Sequence, residues 1–387
     1  MAESRAKKVP SPPGVMAAYP TIGELLDYFG KAGRLRVSDL HLKVGEPPVY
    51  RVDGLLEKVD CAPLDRGAME TYAAALLTSE ELRSLRTHLS FDGSHSSEAF
   101  QFRLNFFHDG DGIAAAIRAL EVDIPPVEEI GFPNDVWQDI VNMQHGLVLL
   151  TGITGAGKST TIASLIDRIS RDRACRIITL EDPIEYRLRS QKSIVSQREL
   201  GRDVHSFEQG IRDCLREDPD VIFVGEMRDQ DSAAWTLTAA ETGHLVFSTL
   251  HTRDVRGSIT RLLDMFSTDR QDEMANQLSL GLAYVLTQRL VPRADGVGRV
   301  VAMEILHNDY AVANLIRTRK VEQLYSPLQT RTKNTSDQRM VTMERSLAQL
   351  VTVGTVDVSE AEKWTNDRKA FRDEMSRAGR LSSLPRA

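Results

Sequence analysis

A short segment of the 387-residue chain has the spacing of a phosphate-binding loop, GxxxxGK[ST]. A buried-type apolar run, residues 147–150, precedes it, and a helical stretch with one apolar face follows it. Glycines let the backbone N–H groups turn inward around phosphate, and the helix N-terminus adds a favourable dipole. We therefore predict a triphosphate site in which Lys158 contacts the β- and γ-phosphates and the Ser159 hydroxyl binds Mg²⁺. The residues predicted to line it are Gly152, Ile153, Thr154, Gly155, Ala156, Gly157, Lys158, Ser159 and Thr160.

Acidic and histidine residues follow three later apolar runs. Glu185 comes shortly after residues 177–180, Glu226 follows residues 221–224, and His244 and His251 flank residues 245–249. In an open α/β sheet, ligands bind at the carboxyl ends of the strands, so we expect these side chains to converge on the phosphate loop. Each signal is weak alone, because an acid after a strand often caps a helix and a lone histidine is often structural. Their order behind one phosphate loop favours the functional interpretation.

Two arginines lie in an N-terminal hairpin. The run Phe100–Phe106 alternates apolar and polar residues, and a Gly- and Asp-rich turn returns the chain through Ile113–Leu120. If the turn is centred near Gly110, Arg103 and Arg118 face each other across the ladder. Like charges in that position repel, and a bound anion would relieve the repulsion. The alternative is an ordinary solvated sheet face.

The elements that must hold these residues have two patterns. Residues 134–305 alternate short apolar runs with helical segments, which predicts a parallel sheet with helices on both faces. Upstream, residues 39–60 predict a strand hairpin and residues 69–89 a helical stretch, whereas the pattern turns helical beyond about residue 303. We interpret residues 1–20 as a flexible leader and the acidic, proline-rich residues 121–133 as a hinge linker. The last stretch, residues 364–387, carries a net charge of +3 and is predicted to be a solvated tail, with partner binding as the alternative.

Composition limits the function classes. Forty-eight basic and 55 acidic residues give a net charge of −7, which argues against a protein that coats nucleic acid. A hydrophobic content of 41% excludes wholesale disorder. The three cysteines have no CxxC pair, which argues against a disulfide framework or a zinc site and fits a reducing compartment. We expect neither a secretory signal nor a membrane-spanning helix, and hence a cytoplasmic protein.

At these motifs the chain resembles the secretion-ATPase superfamily, and within it the type IV pilus retraction ATPases (the PilT family). The resemblance is carried by GITGAGKSTT at 152–161, TLEDPIEY at 179–186, LREDPDVIFVGEMRD at 215–229 and TAAETGHLVFSTLHT at 238–252. Weaker similarity extends upstream, at SDLHLKVGEPPVYRVDG and FRLN, and downstream, at MEIL and AVANLIR, so that it covers roughly residues 21–360.

The resemblance implies an α/β fold: a RecA-like P-loop ATPase core at 134–305, a smaller PAS-like α+β domain at 21–120, and a helical C-terminal region at 306–363. It implies that Glu185 polarises the attacking water, that Glu226 is the Walker B acid supporting Mg²⁺, and that His251 reaches the γ-phosphate. Arg103 and Arg118 match the family's arginine fingers. ATP and Mg²⁺ are the implied cofactors. The implied assembly is a homo-hexamer that acts on an inner-membrane pilus platform protein, associates with the membrane only peripherally and binds no nucleic acid.

Three other functions are weighed against a retraction motor. An assembly or secretion ATPase of the same superfamily usually carries an extra N-terminal domain and a tetracysteine zinc insertion, neither of which occurs in this sequence. A RecA-like nucleic-acid translocase is disfavoured by the acidic charge and the lack of an aromatic and basic strand face. A non-hydrolysing paralogue is disfavoured because Lys158, Glu185 and Glu226 are all present. Ala313, in AVANLIR, replaces an arginine of a family motif tied to retraction.

Overall fold

The computed structural model describes residues 19–31, 37–52, 55–97, 100–120, 123–329 and 339–377. Most of the predicted leader (1–18), residues 121–122 of the predicted hinge and residues 378–387 of the predicted tail lie outside these ranges. The chain divides into two compact units. The first extends to Asp123 and includes Glu185–Arg187, and the second comprises the remainder from Ile124 onwards.

The first unit is an α+β unit built on a six-stranded antiparallel sheet in the order β3-β2-β1-β6-β5-β4. Three helices complete it: α1 (Ile22–Lys31), α2 (Arg66–Leu76) and α3 (Ser79–His88). The predicted hairpin and helical stretch are therefore confirmed, the latter as two helices. The strands are β1 (Val37–Lys43), β2 (Val49–Val52), β3 (Leu55–Lys58), β4 (Ser90–Ser96), β5 (Gln101–His108) and β6 (Ile113–Leu120).

Alternation of residue type assigns the two faces of this sheet. The apolar positions of β1, β5 and β6 form one core with α1, α2 and α3, including Leu40, Phe102, Leu104, Phe106 and Ile117. The polar positions, among them Arg103 and Arg118, lie on the opposite face, since side chains one residue apart in a strand point to opposite sides. The predicted hairpin register is confirmed: Arg103 pairs with Arg118 in the β5–β6 ladder.

The second unit is built on a seven-stranded sheet in the order β13-β12-β7-β11-β10-β8-β9. All neighbouring strands are parallel except β12 and β13. The four predicted apolar runs are confirmed as β7, β8, β10 and β11, which form the contiguous centre of the sheet. The strands are β7 (Gly146–Thr151), β8 (Arg176–Glu181), β9 (Ile194–Glu199), β10 (Val221–Val224), β11 (Leu245–Leu250), β12 (Leu282–Pro292) and β13 (Arg299–His307).

Helices cover both faces of this sheet, as predicted. Alternate strand residues pack into two cores, one shared with α4 and α5 and the other shared mainly with α6 to α10. The bounds are α4 (Val136–Asn142), α5 (Lys158–Asp172), α6 (Phe207–Cys214), α7 (Gln230–Glu241), α8 (Val255–Leu263), α9 (Gln271–Gly281) and α10 (Tyr310–Arg317). Because strands buried on both faces need apolar side chains throughout, β7, β10 and β11 are buried at every position.

The C-terminal part differs from the prediction in two places. The strand β13 continues to His307, so the helical pattern begins with α10 rather than near residue 303. The prediction of a solvated tail is wrong for residues 364–377. Helix α14 (Arg368–Arg377) buries Phe371 and Met375 completely against a core that includes Leu347. The remaining helices are α11 (Tyr325–Gln329), α12 (Met343–Thr352), α13 (Val358–Trp364) and α14 (Arg368–Arg377). Within the described ranges, no helix is both long enough and apolar enough to span a bilayer.

Candidate nucleotide site

The phosphate-binding loop connects β7 to α5. Gly152, Gly155 and Gly157 adopt φ angles of 145°, 76° and 86°, a region that favours glycine. A Cβ on Gly152 would lie 2.6 Å from the backbone oxygen of Gln288 in β12. Larger side chains are thus excluded where β12 supports the loop. The side chain of Ile153 is exposed and that of Ala156 is buried.

Lys158 begins α5 beneath this loop. It is buried, and its Nζ donates to the backbone oxygens of Gly152, at 2.9 Å, and Ile153, at 3.3 Å. The ammonium group therefore lies inside the loop, beside the N-terminus of a 15-residue helix. The loop backbone, the helix dipole and this cation together form a surface suited to an anionic phosphate chain.

Two further side chains come from neighbouring strands on the same sheet. Glu226 follows β10 and His251 follows β11, and His251 Nε2 lies 3.4 Å from Glu226 Oε1. Gly225 permits this geometry, because a Cβ there would lie 3.2 Å from the backbone oxygen of Leu180 in β8. Burial lowers the pKa of His251; the charge of Lys158 adds to that effect, and Glu226 opposes it. The imidazole is thus biased toward its neutral form, close to both Lys158 and Glu226.

The segment after β8 divides its acidic residues between different partners. Glu181 is buried and accepts hydrogen bonds from Thr179 Oγ1, at 2.7 Å, and Gln197 Nε2, at 3.0 Å, which is a structural role. Asp182 instead accepts from Arg228 Nη1 at 3.0 Å. The same guanidinium donates through Nε to Glu226 Oε2 at 2.7 Å. Sequence reasoning missed Arg228, although it lies in the GEMRD segment two residues beyond Glu226.

Glu185 lies in the loop that follows β8 and groups with the first unit. It is half-buried, and within the described residues its side chain has neither a hydrogen bond nor an ion pair. These contacts do not test the role of Glu185, which stays a prediction.

Arg103 and Arg118 lie in the first unit. Arg118 Nε donates to Asp39 Oδ1 at 2.7 Å, and Arg51 Nε lies 3.7 Å from Asp39 Oδ2. Burial acts to raise the pKa of Asp39, but hydrogen bonds from Ser38 and Arg118 outweigh it, and the pKa is lowered. The Asp39 carboxylate thus supplies part of the negative charge that we expected a bound anion to supply against the repulsion between Arg103 and Arg118.

His244 has a local structural role. Its Nδ1 lies 2.9 Å from the backbone oxygen of Ala239 and 3.2 Å from Thr242 Oγ1, at the C-terminal end of α7. These contacts satisfy one ring nitrogen within the adjoining helix end. The structural interpretation is therefore sufficient for His244, unlike His251.

A buried chain of hydroxyl groups also escaped sequence analysis. Thr151, the last residue before the phosphate loop, shares a 2.8 Å hydrogen bond with Thr287 of β12 and accepts one of 3.1 Å from Ser258 of α8. Ser258 also bonds to Thr252, next to His251, at 2.6 Å. Scattered threonines and serines give no sequence signal, yet here they connect the loop to the segment that carries His251.

The residues present fit Mg-bound nucleotide by the chemistry of their donor atoms. Ser159 offers a hydroxyl oxygen at the start of α5, and Glu226 offers a carboxylate at the end of β10. Mg²⁺ commonly takes one or two such protein ligands and completes its shell with water and substrate phosphates. Among the described residues no cluster of three or more His, Cys, Asp or Glu side chains could hold a metal alone.

Known proteins are similar to this chain over most of its length. The family model described as "Type II/IV secretion system protein" matches residues 34–381. The chain is 38% identical over 343 residues to the type IV pilus retraction ATPase PilT of Pseudomonas aeruginosa, which covers 88% of this chain and 97% of that protein. It is 38% identical over 317 residues to a twitching motility protein of Neisseria gonorrhoeae, covering 82% and 83% of the two chains.

Solved structures extend the similarity to the fold. The crystal structure of the pilus retraction motor PilT with bound ADP has a TM-score of 0.83 at 38% identity, covering 92% of this chain and 99% of that one. The Legionella pneumophila ATPase DotB has a TM-score of 0.76 at 25% identity, covering 92% and 97%. The expected RecA-like α/β core with an N-terminal α+β unit and C-terminal helices is confirmed. By sequence and fold, the chain belongs to the type II/IV secretion system protein family of ATPases.

Proposed function

We propose that this protein is an Mg²⁺-dependent ATPase that drives retraction of type IV pili. The observation that carries the proposal is the meeting of Glu226 and His251 beside Lys158 at the carboxyl ends of adjacent parallel strands. It is supported by 38% identity over most of the chain to a protein named as a pilus retraction ATPase.

Each side chain has a distinct task in this proposal. Lys158 leaves the carbonyls of its own loop and binds the β- and γ-phosphates, with Ser159 and Thr160 beside it at the start of α5. Neutral His251 donates a hydrogen bond toward the γ-phosphate. Glu226 would hold Mg²⁺ from the end of β10. Mg²⁺, when bound, neutralises charge on the phosphate oxygens.

Hydrolysis has two further requirements. One group must orient the attacking water, and positive charge must lie near the γ-phosphoryl group and the ADP that leaves it. We propose that Glu185 orients the attacking water and that Arg103 and Arg118 supply the positive charge. Arg103 is exposed on its sheet face, and Arg118 shares its charge with Asp39, so Arg103 is the more available of the two. Both assignments follow from the family resemblance.

The assembly and its partner follow from the same relationship. We propose a homo-hexameric ring in the cytoplasm, peripheral to the inner membrane, that acts on the platform protein of a pilus machine. Ala313 lies half-buried in α10, where the retraction-linked family motif has an arginine. The force delivered by this protein is therefore a property to measure separately from ATP turnover.

A genetic test separates the direction of the motor from its chemistry. Deletion should leave cells with excess surface pili and without twitching motility, and the wild-type gene should restore both, whereas Lys158→Ala should not. Loss of pili on deletion would instead identify an assembly ATPase. Purified protein should hydrolyse ATP in the presence of Mg²⁺, and ATPase activity that requires DNA would revive the translocase alternative.

A further inference from the structure

Arg228 joins the ends of two neighbouring strands beside the nucleotide site. Its Nε donates to Glu226 Oε2 at 2.7 Å and its Nη1 to Asp182 Oδ2 at 3.0 Å. Glu226 follows β10 and Asp182 follows β8, and these strands pair in parallel. One planar guanidinium therefore fixes the separation of two carboxylates that would otherwise repel each other.

The interaction with Arg228 engages the Glu226 carboxylate, the same group that we propose to support Mg²⁺. With Arg228 on Oε2 and His251 3.4 Å from Oε1, both oxygens of Glu226 already face nitrogen groups. Glu226 is 22% exposed, whereas Arg228 is 54% exposed and thus has open space on its outer side. The guanidinium can leave Oε2 without disturbing a packed core, so the bridge is exchangeable.

We propose that Arg228 is a positioning residue whose charge stands in for Mg²⁺ at Glu226 until metal-bound nucleotide arrives. This rests on the proposed function, because it assumes that Glu226 supports Mg²⁺. While the metal is absent, Arg228 keeps Glu226 and Asp182 oriented and neutralises one negative charge beside the phosphate loop. When Mg²⁺ binds, Glu226 exchanges the guanidinium for the metal shell.

The exchange has a thermodynamic signature in nucleotide binding. Without Arg228, the site holds one more uncompensated negative charge, which weakens binding of metal-free ADP but leaves Mg-ADP nearly unaffected. The ratio of the ADP dissociation constant in EDTA to that in Mg²⁺ should therefore rise in Arg228→Gln, by about threefold or more for neighbouring charges at a protein surface. By reciprocity, less Mg²⁺ should then suffice for half-maximal ADP binding.

The experiment titrates a fluorescent ADP analogue into the full-length protein, in EDTA and at a series of Mg²⁺ concentrations. Arg228→Gln is compared with Arg228→Lys, which keeps the charge, and with Arg202→Gln as a matched control. Arg202 is an exposed arginine of the same unit, and among the described residues its side chain has no hydrogen bond or ion pair. The ratio of the ADP dissociation constant in EDTA to that in Mg²⁺ should stay close to the wild-type value in Arg228→Lys. In Arg202→Gln it should equal the wild-type value.

A second comparison asks whether the bridge itself matters. In an Asp182→Asn background, Arg228→Gln should change the ratio by a different factor than in wild type, since the two residues share one interaction. An unchanged or lowered ratio in Arg228→Gln, or an equal rise in Arg202→Gln, would overturn the inference. Normal Mg-dependent ATPase activity alongside that result would leave the proposed function intact, whereas an inactive wild-type enzyme would contradict the proposed function.

Discussion

Arg103 and Arg118 are direct cross-strand partners in β5 and β6, and within the described residues only Arg118 has a carboxylate partner, Asp39. Like charges directly opposite in an antiparallel ladder are destabilising, and here the neighbouring strand β1 reduces that cost on one side only. Arg103 thus presents an uncompensated guanidinium on the polar face of the sheet. This asymmetry makes the two arginines experimentally separable.

Arg103→Ala should slow ATP turnover by about 10³-fold, the effect of removing an arginine finger in related phosphoryl-transfer chemistry. Its thermal stability should stay close to wild type, because the side chain is exposed. Arg118→Ala should slow turnover and also destabilise the fold by about 1–3 kcal/mol, since Asp39 is buried and loses the charged hydrogen-bond partner of its Oδ1. Steady-state kinetics and chemical denaturation of both variants measure this; an unchanged kcat in Arg103→Ala would support the solvated-face alternative.

Lys158→Ala should weaken ADP binding by about 100-fold, because a buried ammonium group contributes charged hydrogen bonds to the phosphates. Binding is measured with a fluorescent ADP analogue in Mg²⁺. Lys192→Ala is the control, since Lys192 is exposed and its side chain has no partner among the described residues. Tight ADP binding by Lys158→Ala would mean that the phosphate loop is not the nucleotide site.

Glu185→Gln and Glu226→Gln should fail in different ways. Glu185→Gln should bind ATP normally and hydrolyse it at least about 100-fold more slowly, the loss expected when a general base is removed. Glu226→Gln should also require a higher Mg²⁺ concentration for half-maximal ATPase activity, because it removes a negative charge from the side chain that would hold the metal. Glu129→Gln, at an exposed position, controls for loss of a surface charge. Rapid single-turnover hydrolysis by Glu185→Gln would assign the water-orienting role to another residue.

Glu304 should make stability depend on pH. Burial raises the pKa of this carboxyl to about 7, while the backbone N–H of Val255 opposes that shift and Glu344 adds to it. Below about pH 4.5 both folded and unfolded chains hold the proton; between pH 4.5 and 7 only the folded chain holds it. Stability from this group therefore falls as pH rises to 7, by at most about 3 kcal/mol, and is constant above.

Substitution Glu304→Gln should remove that component of the pH dependence. Urea denaturation from pH 5 to 8 measures the unfolding free energy of both proteins. As pH rises to about 7, the wild type should lose stability relative to the variant. A difference that does not change with pH would show that Glu304 titrates in its ordinary range. Glutamine keeps one carbonyl oxygen as an acceptor for Val255 N–H or Asn366 Nδ2, and because that oxygen does not titrate, the slope of the difference reports the ionisation of Glu304.

Phe371→Ala in α14 should destabilise the second unit by about 3–5 kcal/mol, the usual cost of emptying a fully buried aromatic site. Lys369→Ala, on the exposed surface of the same helix, should cost less than about 0.5 kcal/mol. Thermal denaturation measures both. Equal effects of the two substitutions would mean that α14 does not pack as described.

The parts of the fold that sequence predicted best are those buried on both sides. The runs that became β7, β8, β10 and β11 are apolar at nearly every position, so both their boundaries and their parallel arrangement could be predicted. The edge strand β9 is mostly half-exposed and polar, and its sequence, IVSQRE, lacks that signal. Likewise, α14 has charged residues at most positions, so two apolar residues four apart gave too little indication of burial.

The site was predictable where its residues are adjacent in sequence or end a strand. The phosphate loop is a contiguous motif, and Glu226 and His251 follow apolar runs. Arg228 could not be found in this way, because its partner Asp182 lies 46 residues away and no spacing rule connects them. The same holds for Thr151 and Ser258, 107 residues apart, whose hydroxyl groups meet only in the folded sheet.

The packing of α14 also affects how shortened versions of this protein should be interpreted. A chain ending before Arg368 would lack Phe371 and Met375 and so leave the apolar surface around Leu347 and Ala348 open to water. Such a truncation would be prone to aggregation, so its loss of motility would report a folding defect rather than a missing docking segment. Deletions that aim to map contacts with the pilus machinery should retain every residue through Arg377.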